Sequence, residues 1–318
     1  MLRKCCLSCT ILFIAMLLLS IIARGGDAQM ALEEDFASEY RSYPDGFVLN
    51  VLNGTNLTKD GVIFLENASD DLFVQFANLT KDNSEFVLKL FLDYEEVNFL
   101  IGEVSYSSFE FKVAAEETKE IQVNLDTTVD LGISHMLTVG VFTAPNKHAS
   151  EIELMSNSYG MVLTYEIVSP SGSRTNIRDI HCEKTVKFLK SQFQGIMLND
   201  DFSNEDNDTV QFPAIEVAVL PGENISLAYR LGNYNNQGNV MLIVLVDWKQ
   251  VPVNGSDYLI VENKPGYIGF GEIEITAPLD RGKYEVIAFA VNQPFSPRNV
   301  TNFFAHDTAY RFTLSVDK

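Results

Sequence analysis

Cysteine is nearly missing from the part of this chain that could use it. Of four cysteines in 318 residues, Cys5, Cys6 and Cys9 lie in the first nine positions and only Cys182 follows. No disulfide can close within residues 29–318, so stability there rests on buried apolar surface. Histidine is also sparse: His135, His148, His181 and His306 are scattered, with no i, i+4 pair to grip a transition metal from one helix face. Positive charge is the minority sign, with 23 Lys and Arg against 43 Asp and Glu and a net charge of −20. An acidic excess of that size repels phosphate backbones and anionic head groups, which excludes nucleic acid as a partner class. Catalytic signatures are missing as well. There is no G-x-S-x-G, no H-E-x-x-H and no G-x-x-x-x-G-K-[ST]. Gly266, Gly269 and Gly271 run as G-x-x-G-x-G, out of order for a dinucleotide loop, and read as a bulge or turn. No pair of carboxylates stands out as an acid–base couple, so the chain reads as a non-enzyme.

One long apolar run is present. Arg3 and Lys4 precede Cys5–Ala23, Arg24 ends it, and Gly26-Asp27-Ala28 offers small residues at −3 and −1 of a cut before Gln29. Residues 1–28 are predicted to be a signal peptide, with a retained signal-anchor as the alternative, in which case residues 5–23 alone touch the membrane. Either way residues 29–318 lie outside the cytoplasm, secreted or anchored at the cell surface. Residues 29–45, with Glu33, Glu34, Asp35 and Glu39, read as a stalk. Eight N-x-S/T sequons begin at Asn53, Asn56, Asn67, Asn78, Asn207, Asn224, Asn254 and Asn299. They are glycosylation acceptors on an exported surface, or simply Asn-rich hairpin turns.

The rest says the same thing twice. Gly46-Phe47-Val48-Leu49-Asn50 is answered by Gly195-Ile196-Met197-Leu198-Asn199. Leu90-Phe91-Leu92-Asp93-Tyr94 is answered by Val244-Leu245-Val246-Asp247-Trp248, and the stretch from Ser134 by that from Lys283. The offsets are 149 (46 to 195), 154 (93 to 247) and 149 (135 to 284). Within each copy, short runs rich in Val, Ile, Phe, Tyr and Thr are punctuated by Asn, Gly, Asp and Pro, which is strand-and-turn chemistry. Phe86–Leu92 and Met241–Val246 are almost continuously apolar and predict central strands. Ile121–Leu125 and Glu272–Thr276 alternate strictly, as a strand with one wet face does. Met161–Val168 and Tyr310–Val316 close the two copies as strands.

About seven short strands per copy predict a β-sandwich. Gly132–Met136 and Gly282–Val286 each look like a tight turn feeding a core strand. With these features the chain resembles tandem immunoglobulin-like or fibronectin-III-like modules of exported proteins, over residues 46–168 and 195–318. It lacks the Cys…Trp…Cys signature of true immunoglobulin domains, since Trp248 has no disulfide to pack on. The resemblance implies an all-β fold of two tandem antiparallel sandwiches and a structural or adhesive role at the cell surface. The partner would be a cell-surface protein or a polysaccharide. A carbohydrate-binding pair for envelope or extracellular polysaccharide is the alternative, with Tyr106, Phe109, Tyr234, Tyr258, Tyr267 and Phe270 as stacking aromatics.

The connector, 169–194, opens with a Ser-Pro-Ser-Gly-Ser loop. Val186, Leu189 and Phe193 then fall at i, i+3 and i+7, which predicts a short amphipathic helix over 183–193, with an added strand as the rival reading. No cofactor is expected, with calcium the one exception. Asp200, Asp201, Asp206 and Asp208 crowd hard oxygen ligands where the second copy begins. They could clamp the junction with Ca²⁺, or be a solvated loop without EF-hand spacing. Asp93-Tyr94 and Asp247-Trp248, at matching places, read as turn chemistry plus core packing.

Overall fold

The computed structural model describes residues 46–54, 56–58, 61–67, 70–152, 160–169, 187–200, 215–299 and 306–317. The expected signal or anchor segment (1–28), the expected stalk (29–45) and most of the connector lie outside these residues. Among the described residues the chain is all β apart from one 3₁₀ turn at Ala149–Glu151. No described helix is long and apolar enough to cross a membrane.

The first copy contributes β1 (Phe47–Asn53), β2 (Asn56–Leu57), β3 (Val62–Phe64), β4 (Leu72–Asn78), β5 (Ser84–Leu92), β6 (Glu95–Glu96), β7 (Phe99–Ile101) and β8 (Val104–Tyr106). It is completed by β9 (Phe109–Val113), β10 (Thr118–Leu125), β11 (His135–Thr143) and β12 (Gly160–Val168). One sheet runs β2-β1-β4-β10-β7-β8, and its partner runs β3-β12-β11-β5-β6 with β9 also on β5.

The second copy opens with β13 (Lys187–Lys190), β14 (Gly195–Asn199), β15 (Glu216–Val219), β16 (Asn224–Gly232), β17 (Gly238–Val246) and β18 (Lys249–Val251). Then come β19 (Leu259–Asn263), β20 (Tyr267–Thr276), β21 (Gly282–Asn292), β22 (His306–Thr308) and β23 (Phe312–Val316). Its sheets run β13-β20-β16-β14 and β15-β23-β21-β17-β18, with β19 on β17 and β22 on β21. In each copy one short early strand pairs in parallel with the last: β3 with β12, and β15 with β23. All other pairings are antiparallel, so the fold is two immunoglobulin-like β-sandwiches in tandem.

Each sandwich has its own core. In the first, Val74 and Phe76 of β4 face Leu88 and Leu90 of β5 and Val139 of β11; in the second, Leu227 and Leu231 of β16 face Val244 of β17 and Ala288 of β21. The outer sheets wear polar residues on their far side. Glu120 and Gln122 flank buried Ile121 on β10, Asn224 and Ser226 flank buried Ile225 on β16, Glu272 and Glu274 flank buried Ile273 on β20, and all six are exposed. That is the alternation expected when one face packs and the other is wet.

The inner sheets do not alternate, because both of their faces are covered. A third core lies between the two sandwiches. Val87 and Phe91 of β5, Met136 and Phe142 of β11, and Val162 of β12 pack against Met241, Ile243 and Leu245 of β17 and Ile287, Phe289 and Val291 of β21. Along β17, Val240, Leu242, Val244 and Val246 enter the sandwich core while Met241, Ile243 and Leu245 between them enter the joint. A strand buried on both sides reads as an unbroken apolar run. That accounts for Phe86–Leu92 and Met241–Val246. The molecule is thus four sheets in a stack, its two modules joined through buried faces.

Of the stretch 183–193, where a helix is expected, residues 183–186 lie outside the described residues, and the rest is not helical. Residues 187–190 are strand β13, antiparallel to β20 with Lys187 opposite Phe270 and Lys190 opposite Tyr267. A lone run of eleven residues makes a marginal helix. Pairing its half-buried Phe188 and Leu189 along an open sheet edge satisfies one side of the backbone and covers both side chains. The rival strand reading is the one that holds. Gly266 is a turn, with φ of +81°, where Tyr267 N–H donates to Lys264 O at 3.0 Å. Gly271 lies within β20, where a Cβ would come within 2.9 Å of Tyr229 Oη.

Candidate functional site

The joint between the modules gathers most of the buried charge. At its centre the aromatic rings interlock: Phe91 lies 5.3 Å from Phe289 between ring centroids, and Phe142 lies 5.8 Å from Trp248 and 6.3 Å from Phe289. Offset and tilted rings at such spacings attract beyond the area they bury. Gly160 lets β12 approach this layer. A Cβ there would meet Phe142 at 2.6 Å and Thr308 of the other module at 2.8 Å.

Two equivalent hairpin turns set the flanks. Asp93 and Tyr94 join β5 to β6 with φ of +51° and +73°; Asp247 and Trp248 join β17 to β18 with +49° and +64°. Both are two-residue turns with left-handed backbone at both positions, which suits the strand twist and favours Asp first. Asp93 N–H donates to Met136 O at 2.7 Å, and Asp247 N–H to Glu285 O at 2.7 Å. The internal repeat is therefore exact down to a backbone bond. The aromatic of each turn enters the opposite module.

Tyr94 is fully buried. Its hydroxyl donates to Pro294 O and accepts from Arg298 Nη2 at 3.0 Å. Burial pushes its pKa up to about 12 even with the Arg298 guanidinium pulling the other way. Arg298 also donates through Nη2 to Pro294 O at 3.1 Å, and its backbone N–H reaches Glu166 Oε2 at 3.2 Å. Trp248 Nε1 donates to Pro145 O at 3.4 Å, and the Arg311 guanidinium lies 5.6 Å over its ring. Arg311 belongs to the second module but spends its donors on the first: Nη1 to Thr143 O at 3.0 Å and Ala144 O at 3.1 Å, Nη2 to Lys147 O at 3.1 Å. Its Nε faces Glu285 Oε2 at 3.2 Å. Glu285 Oε1 takes Thr313 Oγ1 at 2.6 Å and His148 Nδ1, of the first module, at 3.1 Å. Burial lowers the Arg311 pKa, and Glu285 offsets part of that.

The hairpins also meet edge to edge. Glu96 N–H donates to Gln250 Oε1 and Gln250 N–H to Glu96 Oε2, both at 2.7 Å, while Gln250 Nε2 reaches Tyr94 O at 2.9 Å. Lys89 is wholly buried on the joint face of β5. Its ammonium meets Glu96 Oε1 at 2.5 Å and Ser107 O at 2.6 Å, with burial lowering its pKa against the pull of Glu96. His135 Nδ1 donates to Asp93 Oδ2 at 2.7 Å and Nε2 to Asp130 O at 2.9 Å. Both partners only accept, so the ring fits as an imidazolium, and the hydrogen bond to Asp93 raises its pKa. Every one of these charged groups is occupied in holding backbone or joining modules.

The sequence-predicted residues fall elsewhere and do not converge. Asp200 is exposed just past β14, and Asp201, Asp206 and Asp208 lie outside the described residues. Among the described residues no three His, Cys, Asp or Glu side chains cluster as metal ligands. Of the sequons, Asn67, Asn224, Asn254 and Asn299 are exposed, Asn53 is half-buried in β1, Asn56 lies in β2, and Asn207 is outside the described residues. Asn78 disagrees with the acceptor expectation. It is 0% exposed, and its Nδ2 donates to Asp82 O at 2.8 Å, Ala114 O at 3.1 Å and Val113 O at 3.2 Å, which leaves no room for a glycan in the folded protein.

The aromatics proposed for stacking also separate. Tyr234 is buried, with its hydroxyl on Asp307 Oδ2 at 2.8 Å, which together with burial raises its pKa. Tyr106 and Phe109 pack at the rim of the first core and Tyr258 at the joint. Tyr106 and Phe109 touch, 5.2 Å between ring centroids, whereas Tyr267 and Phe270 share β20 but, three residues apart, point to opposite faces of it. The residues that sequence reasoning missed are Arg298 and Arg311. The one signal for the joint they close was the pair of apolar runs too continuous for a half-wet sheet.

No protein-family model and no curated protein matches the chain. Among solved structures, red sea bream transglutaminase aligns at TM-score 0.23 and 9% identity, over 88% of this chain and 33% of its own, so the chain spans a third of that protein's length. The C-terminal domain of the Streptococcus agalactiae AgI/II polypeptide BspA aligns at 0.22 and 8%, over 85% and 100%. The E. coli chaperone DraB aligns at 0.27 and 9%, over 86% and 97%. Scores this low carry no argument about function, and the fold rests on the strand pairing itself.

Proposed function

We propose that this protein is an exported, non-enzymatic structural or adhesive protein of the cell surface, delivered by residues 1–28 and presenting its two sandwiches as one rigid body. The joint is the observation that carries this reading. Its buried arginines, acids and aromatics from both modules are committed to one another, so the pair holds a fixed geometry through non-covalent contacts. A stiff two-module body with polar outer faces suits a spacer or a ligand-presenting arm. Glycans on the exposed Asn67, Asn224, Asn254 and Asn299 belong to the same reading.

The test is labelling of intact source cells with a membrane-impermeant amine reagent, followed by attachment assays on cells lacking the protein. The proposal expects labelling without lysis and a loss of attachment that the wild-type chain restores. Labelling only after lysis would overturn it.

A further inference from the structure

The edge at β13 and β20 is a local exception to an acidic surface. Lys187, Lys190 and Lys264 are exposed there, beside the half-buried rings of Phe188, Tyr267 and Phe270. Lys264 Nζ stands 4.2 Å over the Tyr267 ring and 5.8 Å from that of Phe188; Lys187 Nζ stands 5.6 Å over Phe270. Lys190 lies directly across the ladder from Tyr267. Neither Lys190 nor Lys264 forms an ion pair with a described carboxylate.

Lysines on an edge strand commonly guard it against strand addition. That explains Lys187 and Lys190 on β13. It does not explain Lys264, which comes from the β19–β20 turn, nor the rings beneath it. These rings are not part of the sandwich core, whose partly buried fringe is Val217, Val251 and Tyr284. Apolar faces flanked by cations match a chain of sugar rings that bears carboxylates. The pyranose C–H face lies on a ring, and the carboxylate meets an ammonium. A lysine stem is flexible, so Lys264 can leave the Tyr267 face to meet the anion as the sugar arrives.

We propose that this edge binds an acidic polysaccharide of uronate type, with Tyr267 and Phe188 as the stacking platform and Lys190 and Lys264 as the carboxylate ligands. This rests on the surface-attachment reading, for which it names a partner class. Net charge of −20 opposes any polyanion at long range, so the attraction must be local and will be weak at low salt.

Affinity electrophoresis of the full chain isolated from its source cell tests this, with polygalacturonate, neutral dextran and poly-L-glutamate each cast in the gel. Retardation by polygalacturonate alone is expected. The double variant Lys190→Glu/Lys264→Glu should weaken it about tenfold, as two reversed ion pairs would. Tyr267→Ala should weaken it about fivefold by loss of stacking. Circular dichroism melting of each variant separates lost binding from lost fold, and Tyr267→Phe should bind like wild type. Equal retardation by poly-L-glutamate, or an unaffected Tyr267→Ala, would mean a charge patch without sugar recognition and overturn the proposal. So would equal retardation by dextran, or none by polygalacturonate. Binding in a gel does not depend on where the cell puts the protein, so failure here and failure of cell-surface labelling are separate results.

Discussion

Tyr94 and Trp248 hold the same place in the two modules, and each is anchored by the other one. Tyr94 donates to Pro294 O across the joint and Trp248 to Pro145 O in return. The chain has duplicated a sandwich and then turned the same hairpin of both copies inward. Truncating either ring should therefore cost as much as a core deletion. Trp248→Ala is expected to destabilise the protein by about 3–5 kcal/mol, read by urea denaturation. A cost below about 1 kcal/mol would place Trp248 outside the load of the joint.

Glu285 and Arg311 make a second test. Both are buried, at 4% and 2% side-chain exposure. Removing one leaves the other charge uncompensated, which costs about 3–5 kcal/mol. Glu285→Ala should fall in that range. The double variant Glu285→Ala/Arg311→Met should recover part of the loss, since neither charge is then stranded. A double-mutant cycle with no coupling would contradict the ion pair.

His135 gives stability a pH dependence. Its folded pKa is raised, chiefly by the hydrogen bond to Asp93. A raised cation contributes fully below the unfolded value, about 6.5, and that contribution fades as pH climbs through the folded value. Stability should thus decline as pH rises above about 6.5, a slope that His135→Gln removes. An identical slope in wild type and variant would mean that the imidazolium is not what Asp93 and Asp130 hold.

Asn78 separates turn chemistry from glycan acceptors. In a glycosylating host, mass mapping should find Asn78 bare while the exposed Asn67, Asn224, Asn254 and Asn299 carry sugar. Asn78→Ala should cost about 1–3 kcal/mol, because the carbonyls of Asp82, Val113 and Ala114 lose their donor. A glycan found on Asn78 of the folded protein would contradict its burial.

The strands were legible in the sequence, because β-branched runs and Asn-Gly turns write a sandwich locally. The repeat was legible too: Asp93 and Asp247 sit at one left-handed turn position, and the text around them kept it. The joint was readable only in part. Met241, Ile243 and Leu245 break the alternation that Val240, Leu242 and Val244 set, yet a run of apolar residues does not say what covers its second face. Arg298 and Arg311 could not be found at all, since an arginine whose partner is a tyrosine hydroxyl or a carbonyl far along the chain looks like any surface cation. At 187–190 helical spacing misled: of its three positions only Leu189 lies in β13, where Phe188, off that spacing, is half-buried beside it.

The shared core between the sheets makes the two sandwiches one cooperative body. Differential scanning calorimetry of residues 29–318, with Phe289→Ser beside the wild type, tests it most directly. A single transition whose calorimetric and van't Hoff enthalpies agree is expected, with a variant in which it drops or splits. Two independent transitions in the wild type, unmoved relative to each other by Phe289→Ser, would contradict it.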